Sequence, residues 1–134
     1  MKAIVTGSSR GLGLAISKAF KEVGIDVAIS SRNEKGLNKA LDELKLIISD
    51  STAIGHVVDF SKKESVSGYV KSIVEKLGGI DILVNNVGIY FEDKADDDIE
   101  ENLKKILEVN LLSSVRINKE VVEVMKKQKG RVCI

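Results

Sequence analysis

The stretch that most constrains this chain is Thr6-Gly7-Ser8-Ser9-Arg10-Gly11-Leu12-Gly13, which comes after the apolar run Ala3-Ile4-Val5 and precedes a helical pattern beginning at Leu14. A strand, a glycine-rich turn and a helix in that order build a phosphate site. The first amides of a helix have no intrahelical partner and carry partial positive charge, so they attract an anion. Gly7 lets the turn tighten, Gly11 lets a phosphate approach the backbone, and Gly13 lets the helix pack closely on the strand. Glycine clusters are common in turns, so the meaning of this one depends on the rest of the chain.

From Leu14 onward, helical and strand patterns alternate regularly. Leu14, Ala15, Ile16, Ala19, Phe20 and Val23 form the stripe of an amphipathic helix, which Gly24 ends. Val27-Ala28-Ile29 reads as a strand covered on both faces, closed by Ser30-Ser31-Arg32-Asn33, with Asn33 as cap of a helix from Glu34 to Ile48. On that helix Leu37, Leu41, Leu44 and Ile48 share one face. A third strand spans Ala53 to Val58 and ends in Asp59-Phe60. Ser61-Lys62-Lys63-Glu64 has the form of a capping box and predicts a helix from Lys62 to Leu77, stopped by Gly78-Gly79. Ile80 to Val84 is a fourth strand, with Asn85-Asn86-Val87-Gly88 directly after it. Asp96-Asp97-Asp98 suits a helix N-terminus, and a long helix, broken near its start, runs to about Lys127. Gly130 ends it, and Arg131 to Ile134 begins a fifth strand.

Strands alternating with helices predict a single α/β domain over residues 1–134, with a doubly wound parallel sheet and right-handed crossovers. The expected strand order is 3-2-1-4-5, with ligand bound at the carboxyl ends of the strands near the switch between the first and fourth. The glycine turn, Ser31-Arg32, Asp59 and Asn85-Asn86 all fall at those ends, which points to a nucleotide. Twenty-one lysines and arginines against 20 acids leave a net charge of +1, which implies neither a nucleic-acid nor a membrane partner. The lone cysteine, Cys133, rules out an internal disulfide framework, and no apolar run has the ~20 residues needed to span a bilayer. A cytoplasmic location is the expectation. His56 is the only histidine, so no metal site is expected.

In this order and spacing the chain resembles the short-chain dehydrogenase/reductase family. Thr6 to Gly13 is similar to its TGxxxGxG, Asn85-Asn86-Val87-Gly88 to its NNAG, Asp59 to the acid after strand three, and Val109-Asn110-Leu111 to its active-site asparagine segment. The resemblance implies a Rossmann-type sheet and a cofactor site of Gly7, Ser9, Arg10, Gly11, Leu12, Gly13, Ser31, Arg32, Asp59, Phe60, Asn86, Val87 and Gly88. In it the glycine turn cradles phosphates, Asp59 accepts from the adenine amino group beside the Phe60 backbone, and Asn86 and Gly88 line the ribose side. Asn85 braces the central strands, and Val87 stands where the family usually keeps alanine. An acid at the end of strand two would bond a ribose 2′-hydroxyl and repel a 2′-phosphate. Ser31 and Arg32 stand there, with Arg10 just before the second loop glycine, so NADP is preferred to NAD.

The same resemblance implies hydride transfer assisted by a serine, a tyrosine and a lysine that come after the fifth strand, and of the family's active-site set only Asn110 falls in these residues. Tyr90-Phe91-Glu92-Asp93-Lys94 matches YxxxK by letter, but its place in the loop after strand four makes it a decoy. The chain is therefore expected to be C-terminally truncated and to bind dinucleotide with little or no turnover. The alternative is a non-catalytic dinucleotide-binding or oligomerisation module. Tyr69 is expected to be a partly buried helix residue, and Ser113 and Ser114 to serve helix packing. Apolar residues spread around most of the helix over residues 99–127 predict burial on two sides, hence a homo-oligomer.

Overall fold

Side chains of a strand point alternately to opposite faces, and in this sheet both faces are covered. The computed structural model describes residues 1–91 and 98–128. Four parallel strands, β1 (Lys2–Val5), β2 (Asp26–Ser31), β3 (Ala53–Val57) and β4 (Ile82–Val84), lie in the order β3-β2-β1-β4. Ile4 stands in register with Ala28 and with Leu83. Ala3, Val27 and Ile29 pack with α1 (Gly11–Glu22) and α2 (Glu34–Lys45) on one face. On the other face Ile4, Ala28 and Leu83 meet α4 (Tyr69–Leu77) and α6 (Ser113–Lys127) through Ile73, Ile117, Val121 and Met125. The expected fifth strand, Cys133, Gly130 and the acids at 96 and 97 lie outside the described residues.

Several boundaries differ from expectation, each for a local reason. Helix α1 begins at Gly11, so Gly11 and Gly13 belong to its first turn and not to the turn before it. Helix α2 stops at Lys45, leaving Ile48 fully exposed, while Ile47 packs against the core in its place. The loop beyond α2 is tied to α1, where Lys21 Nζ donates to Ser51 O at 2.5 Å and Ser51 Oγ to Lys21 O at 3.1 Å. The predicted helix from Lys62 to Leu77 is two pieces, α3 (Lys63–Val66) and α4, parted by extended Ser67 and left-handed Gly68 (φ 80°). Ser61 does not cap α3, because the helix starts at Lys63 and leaves Lys62 in the N-cap position; the Ser61 hydroxyl instead donates to Asp59 Oδ1 at 2.7 Å. Strand β4 is shorter than expected, and Gln128 brackets the backbone of Ile80 through Oε1 (2.9 Å) and Nε2 (3.0 Å).

Tyr69 is fully enclosed, edge-on to His56 (5.2 Å between ring centres) and Phe60 (5.7 Å). Burial pushes its phenol well above the ordinary range, with the neighbouring Ser30 hydroxyl pulling the other way. The hydroxyl itself makes no hydrogen bond of ordinary geometry. The long helix consists of α5 (Ile99–Leu107), a π-helical turn over Glu108–Leu112, and α6. Asp98 caps α5 by accepting from Glu101 N at 2.9 Å. No helix among the described residues is long and apolar enough to cross a membrane.

Candidate functional site

The carboxyl ends of β1, β2 and β4 are stitched together by small polar side chains. Thr6 Oγ1 accepts from the amides of Asn86 (3.0 Å) and Val87 (3.1 Å). Asn86 Nδ2 donates to the carbonyls of Thr6 (2.9 Å) and Gly7 (3.0 Å), which sews the end of β4 to the glycine turn. Ser30 Oγ accepts from Gly7 N at 3.0 Å, and buried Ser8 Oγ accepts from Ser30 N at 3.0 Å. Thr6, Ser8 and Ser30 were not among the expected site residues. Apart from Thr6's place in the TGxxxGxG match, their signal is that small hydroxyls stand where apolar strands end, since each can satisfy a buried backbone group that a larger side chain would displace.

This stitching holds the turn in a shape that needs glycine twice over. Gly7 has φ 61°, and a Cβ on it would lie 2.9 Å from Val87 Cα. Gly11 has φ 56° and open space where a Cβ would stand. A Cβ on Gly13 would come within 2.5 Å of Asn86 Nδ2 and 2.8 Å of Gly7 O, so Gly13 serves packing against the turn and Asn86. The first intrahelical bond of α1 runs from Leu14 N to Arg10 O at 3.4 Å. The amides of Gly11, Leu12 and Gly13 therefore precede the ladder, Arg10 supplies no side-chain cap, and the first turn carries no acid. An uncapped, acid-free N-terminus opening beside a glycine is suited to a phosphate.

In front of this turn lies a cavity of about 1050 Å³ that gathers Gly7, Ser9, Arg10, Gly11, Ser31, Arg32, Asp59, Phe60, Asn86, Val87 and Gly88. Leu12, Gly13 and Asn110 are outside its wall, and Leu12 is 69% exposed. The Phe60 ring is turned into the core. Burial raises the cost of ionising Asp59, but hydrogen bonds from Ser61 and the charges of Lys62 and Arg32 outweigh it and hold the carboxyl below its usual range. Asn85 is exposed and bonds to Asn118 Oδ1 at 2.8 Å, so it braces β4 against α6; the central strands are braced by Asn86. Asn110, in the π-helical turn, accepts from Ile89 N (2.8 Å) and donates to Ile89 O (2.9 Å), clasping the loop after β4. Tyr90 reaches the cavity rim and is 81% exposed; Glu92, Asp93 and Lys94 of the YxxxK match lie outside the described residues. His56 Nδ1 faces Ser72 Oγ at 3.3 Å, and no group of three or more metal-binding side chains occurs among the described residues.

Known proteins carry the same frame. Residues 1–134 match the family model described as short chain dehydrogenase. The chain is 36% identical over 131 residues to a 3-oxoacyl-(acyl-carrier-protein) reductase of Vibrio cholerae, covering 97% of this chain and 52% of that protein. It is 30% identical to a 3alpha-hydroxysteroid dehydrogenase of Mediterraneibacter gnavus, with 98% and 53% covered. An alcohol dehydrogenase from the archaeon Thermococcus sibiricus, solved with 5-hydroxy-NADP, superposes with a TM-score of 0.85 at 32% identity, covering 96% of this chain and 55% of that one. L-sorbose reductase from Gluconobacter frateurii, solved with NADPH and L-sorbose, gives a TM-score of 0.85 at 30% identity, with 95% and 48% covered. The chain thus spans about half the length of the relatives it matches.

Proposed function

This chain belongs to the short-chain dehydrogenase family, and from that premise we propose that it is the dinucleotide-binding part of an oxidoreductase that uses NADP(H) in preference to NAD(H). The observation that carries the reading is the convergence, in one cavity, of an uncapped helix N-terminus, an open glycine at φ 56° and two arginines without ion pairs among the described residues. Gly11 and the amides behind it would hold a diphosphate, Asp59 and the Phe60 backbone would face the base, and Asn86 and Gly88 would face a ribose. Arg10 and Arg32 favour a 2′-phosphate, which a carboxylate in their place would repel. A bound nicotinamide dinucleotide supplies a hydride or accepts one. Similar structures solved with 5-hydroxy-NADP and with NADPH support a nicotinamide dinucleotide as the cofactor.

The test is titration of the purified chain with NADPH and NADH while tracking nicotinamide fluorescence. Saturable binding with NADPH the tighter ligand is expected, and no binding by either would overturn the reading. Asn110 is the one residue of this chain to which we assign a part in chemistry, through the loop it clasps. We therefore expect the 134-residue chain by itself to hold cofactor with negligible turnover, and oxidation or reduction of any alcohol or aldehyde in a panel above background would count against that. We also infer self-association through the outer face of α5 and α6, where Leu103, Leu107, Leu111 and Val115 are exposed at four-residue spacing.

A further inference from the structure

One stripe of α2 faces the cavity and carries Gly36, Lys39 and Glu43. The adjoining stripe of Leu37, Ala40 and Leu44 is buried against the sheet. Glycine is a poor helix former, and its use at position 36 has a spatial reason. A Cβ there would lie 3.2 Å from Ser31 Oγ and from Asn33 Oδ1, and 3.8 Å from Ser9 Oγ. Its absence lets two hydroxyls sit against the first turn of α2, at the end of the cavity that holds Arg32. Glu43 lies four residues after Lys39 and would be the natural partner of its ammonium group. That carboxylate is already engaged: Lys18 Nζ of α1 lies 2.6 Å from Glu43 Oε2. The Lys18 hydrogen bond, then its charge, hold the Glu43 carboxyl below the usual range, and the charge of Lys39 adds to them. Lys39, Arg10 and Arg32 form no ion pair among the described residues. The cavity therefore presents three cations without an ion pair among the described residues, while the two carboxylates in its wall, Asp59 and Glu43, are hydrogen-bonded by Ser61 and Lys18.

We propose that Lys39 is a third cationic ligand, beside Arg10 and Arg32, for a phosphate monoester on the adenosine ribose of the dinucleotide, and that Lys18 positions it by occupying Glu43. This inference rests on the NADP(H) reading above and adds to it a specificity residue on α2 and a control that does not touch the ligand. Lys18 is absent from the cavity wall, so its removal acts only by releasing Glu43 to draw Lys39 away.

The probes are NADPH, NADH, adenosine 2′,5′-bisphosphate and adenosine 5′-diphosphate, titrated by calorimetry against the chain and its variants. Lys39→Gln should weaken the two ligands bearing a 2′-phosphate about fivefold to twentyfold and leave the other two within about twofold. That loss should shrink in about 0.5 M KCl, where an exposed charge contact is screened. Lys18→Gln should lower 2′-phosphate affinity in the same direction, and Lys18→Gln with Glu43→Gln should restore it. Equal losses for all four ligands in Lys39→Gln would mean that α2 is merely disturbed, and would overturn the assignment. Unchanged NADPH affinity in Lys39→Gln, with a loss in Arg32→Gln, would overturn it while leaving the NADP(H) reading standing. A wild-type chain that binds NADH as tightly as NADPH would remove both. A Lys18→Gln variant with unchanged affinity would overturn the positioning role.

Discussion

Gly7 and Gly11 share a left-handed backbone, yet their surroundings separate stability from binding. Alanine at Gly7 meets the Val87 backbone at 2.9 Å, and neither neighbour can move without loosening the Asn86 and Thr6 bonds. Gly7→Ala should cost more than about 2 kcal/mol, the left-handed penalty plus the clash. Gly11→Ala meets only open space and should cost about 1–2 kcal/mol, while the methyl group stands where a phosphate would approach. Urea unfolding and NADPH titration of both variants check this; equal stabilities would show that the Val87 contact does not decide the matter. His56 offers a second residue-scale outcome. Burial, then the charge of Lys76, lower its pKa, so the folded state resists protonation. The unfolded state then binds the proton first, and stability falls as pH drops below about 6.5 toward the depressed folded value. Glu120 works in the opposite sense, because burial raises its pKa and its charge becomes costly as pH rises through that value. With no other histidine in the chain, His56→Leu should flatten the loss between about pH 7 and 5.5, measured by urea midpoints. A wild-type midpoint that rises on acidification in this window would refute it.

At the scale of elements, α2 was legible because its signals are local: Asn33 accepts from Gly36 N at 2.8 Å, and Leu37 and Leu44 are buried as their spacing requires. The alternation of strands and helices likewise carried the parallel sheet, since buried parallel strands leave apolar runs that a sequence displays, and the glycine turn after the first strand carried the order β3-β2-β1-β4. The break between α3 and α4 was less visible. Apolar periodicity continues through Val66 and Val70, so only Gly68 marks the left-handed residue that separates the pieces. Ser61 misled because α3 starts one residue later than the capping-box pattern assumes, with Lys62 in the cap position and the Ser61 hydroxyl turned to Asp59. The bonds by which hydroxyls tie the glycine turn to β2 and β4 were hidden for another reason: they reach 22 to 81 residues along the chain. The π-helical turn belongs with these long-range features. Its Asn110 makes two bonds to Ile89, and such turns often accompany functional sites. Asn110→Ala should cost about 1–2 kcal/mol, and Asn110→Asp, which keeps the acceptor for Ile89 N, about half of that. Thermal unfolding read at neutral pH distinguishes them; no loss in either would mean that the clasp contributes nothing.

For the whole molecule, the arrangement of apolar surface is the least balanced feature. Helix α6 buries Ile117, Val121 and Met125 against the sheet, as an amphipathic helix should. Its other side continues the stripe from α5, and Leu103, Leu107, Leu111 and Val115 are 51%, 44%, 52% and 56% exposed. Single exposed leucines are ordinary, but a contiguous row at helical spacing on one face marks an interaction surface. The i→i+4 ion pairs Glu100–Lys104 and Glu101–Lys105 flank the row on α5, and Ile99 and Leu112 add to its apolar surface. A second copy of the chain would cover that strip with the same strip, as two-fold association requires. Sedimentation at micromolar concentration should therefore give at least twice the chain mass. Leu107→Lys with Val115→Lys, which places one charge within the row and one at its end, should return it to a monomer without unfolding it, since neither side chain lies in the core. A wild-type monomer would sink the proposal, and so would a double variant of unchanged mass.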